Sequence, residues 1–128
     1  MQKIISTLLI IVGIIHLLPV TGLLGADRLS ALYGLSFAQP DLAILMRHRA
    51  VLLGIVGLLA LYSVLNAALQ PAALVAGTLS VGSFLALALS TGGYNGLIGR
   101  VVIADVVALA CLLAAGALTL YRQRAPVG

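Results

Sequence analysis

Charge, cysteine and tryptophan are scarce in this chain, and each scarcity closes off a class of function. Only 8% of the 128 residues are charged while 62% are hydrophobic, whereas soluble domains carry roughly a quarter charged residues. Lipid is the solvent that suits such a composition. No charged residue occurs in 50–99, and there is no tryptophan. A helix that crosses a bilayer takes about 20 residues, so the length accommodates four such helices with short connections and no soluble catalytic domain. The single cysteine, Cys111 between Ala110 and Leu112, excludes an internal disulfide and a dithiol relay within one chain. Seven Lys and Arg against three acids leave a net charge of +4. They are scattered among hydrophobic segments and form no basic face with interleaved aromatics, so no nucleic acid is expected as a partner. The charge reads instead as topology determinants and membrane-surface contacts.

What is present reads as an all-α, four-transmembrane-helix bundle in one domain over 1–128, with a short interfacial helix between the first two spans. The first span is predicted over about 4–24. It begins like a signal peptide at Lys3, but Leu24 fits poorly three residues before a cut, and a retained helix is expected. Pro19 inside it lacks an N–H and clashes with the Ile15 carbonyl, which predicts a kink beside His16. Residues 27–34 place Leu29, Leu32 and Tyr33 on one face of a short helix ended by Gly34. The second span is predicted over 41–66, with Pro40 and Asp41 suited to its first turn. A hairpin turn at 66–71 leads to the third span, 71–90, where Ala72, Ala76 and Ser80 recur every four residues as a close-packing face. The loop 91–96 precedes the fourth span, 100–121. Gly54 and Gly57 read as packing positions, Cys111 as a small core residue, and Tyr33, Tyr94 and Tyr121 as interfacial anchors.

Four spans put both termini on one side, and the basic flanks Lys3, Arg122 and Arg124 favour the cytoplasm for that side. The intramembrane ionisable residues then share the other half of the bilayer. Counted at about 1.5 Å per residue, Arg47, His48 and Arg49 lie roughly 9 to 12 Å inside the second span, Asp105 roughly 8 Å below Arg100, and His16 roughly 12 Å from the matching end of the first. Unpaired charges there cost roughly 2.5 to 3.5 kcal/mol each on insertion scales, so pairing is expected, with Asp105 to Arg47 or Arg49 as the obvious bridge. The two arginines project about 160° apart, so one faces inward and the other snorkels to the interface. Thr21 and Asn95 offer hydrogen bonds to an outer cavity or act as caps. His16 and His48 at similar depth suggest haem or a metal, but no His-x-x-x-His or Glu-x-x-His spacing accompanies them, and no metal site is expected.

Along His16-Leu17-Leu18-Pro19-Val20-Thr21-Gly22, Ala31-Leu32-Tyr33-Gly34-Leu35, Leu42 to Val51, Gly93-Tyr94-Asn95 and Arg100 to Asp105, the chain resembles small four-helix bacterial membrane proteins near the DoxX-like families. The resemblance covers nearly the whole chain and implies the fold, while its motifs carry no established chemistry. Some proteins of this appearance bear the name phosphopantetheine adenylyltransferase. Nucleotidyl transfer of that type needs a His-x-Gly-His motif, whereas here His16 is followed by Leu17-Leu18-Pro19 and His48 by Arg49-Ala50-Val51. A Gly-rich phosphate loop is also missing. Similarity to small multidrug transporters stops at size and helix count, since the first span has no embedded acid.

The resulting expectation is a multi-pass protein of the bacterial inner membrane, a homo-oligomer or an accessory to a partner membrane subunit, in contact with membrane lipid. Its polar pocket would hold an amphipathic or anionic ligand, such as a lipid headgroup or quinone, through Arg47 or Arg49, with His16, His48, Asp105 and Arg100 shaping the site. Two rivals stand beside it: a structural or assembly subunit with the Arg/Asp cluster as a bridge, and a redox or isomerase-like enzyme using the two histidines.

Overall fold

The computed structural model describes residues 1–126. The order is α1 (Gln2–Leu17), a 3₁₀ segment (Leu18–Leu24), α2 (Ala26–Tyr33), α3 (Pro40–Leu65), a one-turn 3₁₀ segment (Ala67–Leu69), α4 (Gln70–Thr91) and α5 (Gly96–Arg124). Four helical stretches are long and apolar enough to cross a membrane, Gln2–Leu24, Pro40–Leu65, Ala67–Thr91 and Gly96–Arg124. This is the expected all-α bundle of four spans, and α2 is the short helix between the first two.

The boundaries differ from the expected ones for local reasons. At Pro19 the first span tightens: α1 ends at Leu17 and the chain continues as seven 3₁₀ residues, a winding in which fewer i→i−4 bonds depend on the missing proline N–H. Gly25, at φ 147°, then turns the chain into α2. Gly34 closes α2 in the left-handed region, its N–H donating to the Ser30 carbonyl at 2.8 Å, as a C-terminal glycine does. The fourth span starts four residues before the predicted position because the Asn95 side chain caps it, accepting from the Ile98 N–H at 2.9 Å.

The spans form a ring in which α1 packs on α3 and α5, and α4 packs on α3 and α5; α2 lies against α1's 3₁₀ extension, α3 and α5. In lipid the hydrophobic effect gives helices little reason to associate, so close fit must do it. Gly13 and Gly57 supply that fit between α1 and α3: a Cβ on Gly57 would lie 3.0 Å from the Gly13 carbonyl oxygen, and one on Gly13 2.7 Å from the Leu61 side chain. On α4 the buried stripe is Ala73, Gly77, Val81 and Leu85, one residue round from the predicted Ala72-Ala76-Ser80 face. Gly77 decides the rotation, since a Cβ there would meet Leu112 of α5 at 2.9 Å.

Three clusters stack along the bundle. Ile5, Leu9 and Ala115 fill the end with the termini, Val12, Ala60, Val81, Ala108 and Leu112 the middle, and Leu29, Tyr33 and Phe37 the opposite end beneath α2. At the terminal end Arg122 of α5 donates to the Gln2 side chain of α1. The outward faces carry large apolar side chains, with Leu65 at 83% and Leu24 at 73% exposed, as lipid-facing positions would.

Candidate functional site

The two arginines of α3 separate as their spacing requires. Arg47 is exposed, and its Nε donates to the Leu23 carbonyl at the end of the 3₁₀ segment, 2.9 Å away. That bond satisfies a carbonyl that no helix uses and holds the charge at the rim. Arg49, two residues on, is half-buried and inward. Its Nη1 donates to the Tyr33 hydroxyl at 2.6 Å, a short, charge-assisted bond. The guanidinium carbon lies 5.5 Å from the Tyr33 ring centroid and 5.6 Å from that of Phe84. Because the guanidinium already meets Tyr33 at its hydroxyl rim, the Tyr33 contact is chiefly the hydrogen bond, and Phe84 supplies the aromatic face for the charge.

Tyr33 is itself fixed from three directions. It is 5% exposed, packs edge-on against Phe37 with centroids 6.2 Å apart, and its backbone carbonyl accepts from Asn95 Nδ2 at 2.8 Å. Asn95 thus caps α5 with its oxygen and ties α2 to α5 with its nitrogen. The expectation that Tyr33 is an interfacial anchor is therefore corrected: it is a core residue, because its place one turn after Leu29 turns it down onto the bundle. Tyr94 and Tyr121 are exposed, at 40% and 65%.

The expected bridge between Asp105 and an arginine is not formed: among the described residues no acid and base approach within the 4.0 Å of an ion pair. Arg49 instead turns toward Tyr33 and Phe84, and Asp105 lies across a small polar cavity of about 30 Å³, whose walls also include His16, Ser80 and Pro19. A volume of that size admits one or two waters, and the polar lining suits them.

His16, 3% exposed, uses both ring nitrogens inside the bundle. Nδ1 faces the Val12 carbonyl at 2.9 Å, which only accepts, so Nδ1 carries a proton; in the neutral ring Nε2 then accepts from the Ser80 hydroxyl at 3.1 Å. The bond runs across the diagonal of the ring, from α1 to α4. His48 is exposed on the outside of α3. His16 and His48 share no cavity, and Nε2 of His16 is engaged. Among the described residues no group of three or more His, Cys, Asp or Glu converges.

Two larger cavities open on either side of Tyr33 and Val101. One, of about 220 Å³, is bounded by Tyr33, Leu35, Phe37, Leu42, Met46, Arg49, Phe84, Ile98 and Val101, and Arg49 is the charged group in its wall. The other, of about 300 Å³, lies between the first span, α2 and α5 and contains Asp105 in its wall with exposed Arg100. Of the six predicted site residues, then, His16, Arg49 and Asp105 meet around the small cavity, Arg100 stands at the mouth of the second large one, and Arg47 and His48 lie apart, both exposed. Sequence reasoning passed over Tyr33, Phe84 and Ser80 as site residues. Phenylalanine occurs only twice in the chain, and both copies lie beside Tyr33 or Arg49, so the rarity of aromatics was the available signal. No protein-family model, curated protein or solved structure matches the chain.

Proposed function

We propose that this multi-pass membrane protein, of the DoxX-like kind and of the bacterial inner membrane with cytoplasmic termini, binds an amphipathic molecule whose anionic or quinone-like head meets Arg49. The observation that carries this reading is the cavity of about 220 Å³, apolar on every side except at one half-buried guanidinium. Apolar walls with a single directed polar group are the usual anatomy of a small-molecule site. A guanidinium offers five donors, and Tyr33 takes one of them, so others are free for an oxygen-rich head. Membrane lipid surrounds the site, and the protein works as a homo-oligomer or beside a partner membrane subunit.

The test is native mass spectrometry of detergent-purified protein together with its visible absorption spectrum. A copurifying small molecule that is lost in Arg49→Gln and kept in Arg47→Gln is the expected result. A protein that carries no small molecule, in wild type or variant, and takes up no added anionic lipid or quinone contradicts it. One observation favours the assembly-subunit reading instead: Arg49 already has Tyr33 and Phe84 as internal partners, so its charge has a structural use. On that reading Arg49→Gln lowers stability and changes no bound mass.

A further inference from the structure

We infer that the cavity of about 300 Å³ at Asp105 is a second site, separate from the Arg49 cavity, and that it takes an organic cation with an apolar body. Asp105 is half-buried on α5, nine residues after Gly96, and its carboxylate accepts no hydrogen bond from the protein among the described residues. Among the described residues no basic side chain lies within the 4.0 Å of an ion pair. A carboxylate at that depth calls for a partner, and it faces into a space large enough to hold one.

The surroundings select the kind of partner. Ile15, Leu18, Leu32, Leu97 and Ala104 make the walls apolar, and the Tyr33 ring borders the same space. A metal ion gains nothing from such walls, and hard cations want several oxygen ligands. Asp105 brings one carboxylate, and no acidic, histidine or cysteine residues cluster with it among the described residues. An ammonium on an aromatic or alkyl body satisfies both features: the N–H groups donate to Asp105, and the body fills the apolar remainder. Two cationic side chains lie near Asp105, one in this cavity and one beyond it. Arg100 shares the cavity on α5, and Arg49 shares the small polar cavity behind Asp105. Both oppose an incoming cation, so removing either should strengthen binding.

The probe is 4-fluorobenzylammonium, titrated into the full-length protein in lipid nanodiscs and read by ¹⁹F NMR, with neutral 4-fluorobenzyl alcohol as its uncharged counterpart. The expected result is saturable binding of the ammonium and about tenfold weaker binding of the alcohol. Asp105→Asn should weaken the ammonium by about tenfold and Asp105→Glu should keep it, while Arg49→Gln should tighten it about twofold. Ala31→Phe, a change at an exposed α2 position in the cavity wall, should block the site without touching any charge, and the variant's monodisperse elution would show that it folds. Equal binding of ammonium and alcohol, or an Asp105→Asn variant that binds like wild type, overturns the inference: Asp105 is then a hydrated carboxylate and the probe merely partitions into lipid. Because Arg49→Gln acts in opposite directions on the two proposed ligands, failure at one site is distinguishable from failure at the other.

Discussion

The two halves of the bundle handle their buried polar groups differently. In the half with the termini, Thr119 donates to Ala115 and Ser63 to Ala60, each within its own helix, Gln70 reaches across the adjacent hairpin to the Ser63 carbonyl, and the one bond between distant elements among the described residues, Arg122 to Gln2, lies at the exposed end. In the opposite half, beside local bonds such as those of Ser83 and Ser90, four bonds join elements far apart in sequence: His16 to Ser80, Arg49 to Tyr33, Asn95 to Tyr33 and Arg47 to Leu23. A hydroxyl bonded to its own i−3 or i−4 carbonyl costs the bundle little and positions nothing. A bond between elements fixes how they sit and leaves room between them. The first half is packed at its centre, with one apolar groove of about 540 Å³ on the outside between α4 and α5; the second is a frame around four cavities, with α2 across its end.

The contrast can be broken from either side. The largest effect should come from overfilling the packed centre. Ala115, fully buried against Ile5 and Leu9, has no space for a longer side chain, so Ala115→Leu should cost about 3 kcal/mol in denaturant titration in detergent. Binding at the far cavities should survive wherever the variant stays folded. Tyr33→Phe should cost about 1.5 kcal/mol, toward the upper end for interhelical bonds in membranes because the partner is charged. A double-mutant cycle with Arg49→Met should recover most of that loss as coupling. The smallest pair is the sharpest. Ser80→Ala, which cuts the diagonal bond to His16, should cost about 0.6 kcal/mol, whereas Thr119→Val, more deeply buried but bonded only to its own helix, should change stability by less than about 0.5 kcal/mol. Equal losses at Ser80 and Thr119 would erase the distinction between the halves.

The spans were more legible than the contacts between them. Apolar runs of spanning length, a proline at 40 and a loop of glycines at 91–96 define four spans, and helix spacing alone divides Arg47 from Arg49. Which arginine faces inward depends on the rotation of α3 about its axis. A background of Leu, Ala and Val leaves that rotation open; the contact of Gly57 with Gly13 settles it. The rotation of α4, set by Gly77 against Leu112, displaced its packed face from Ser80 to Val81, so that Ser80 lies beside the stripe and reaches His16. The Asp105 bridge misled for another reason. Charge pairing was weighed by sign and depth, while Tyr33, brought down by α2, offered Arg49 a closer partner that only tertiary structure reveals. Asn95 was legible as a cap, but its second bond, to the Tyr33 carbonyl, depends on where α2 docks.

The most direct measurement is of the two arginine side chains themselves. ¹⁵N-arginine-labelled protein in nanodiscs, titrated with a short-chain amphiphilic anion, reports each guanidinium separately, with Arg47→Lys and Arg49→Lys giving the assignments. A saturable shift of the Arg49 Nε signal, with the Arg47 signal moving only as bulk headgroup charge accumulates, is the expected result. Arg49 unmoved, or both arginines shifting in parallel without saturation, would contradict an inward-facing anion site in this half of the bundle.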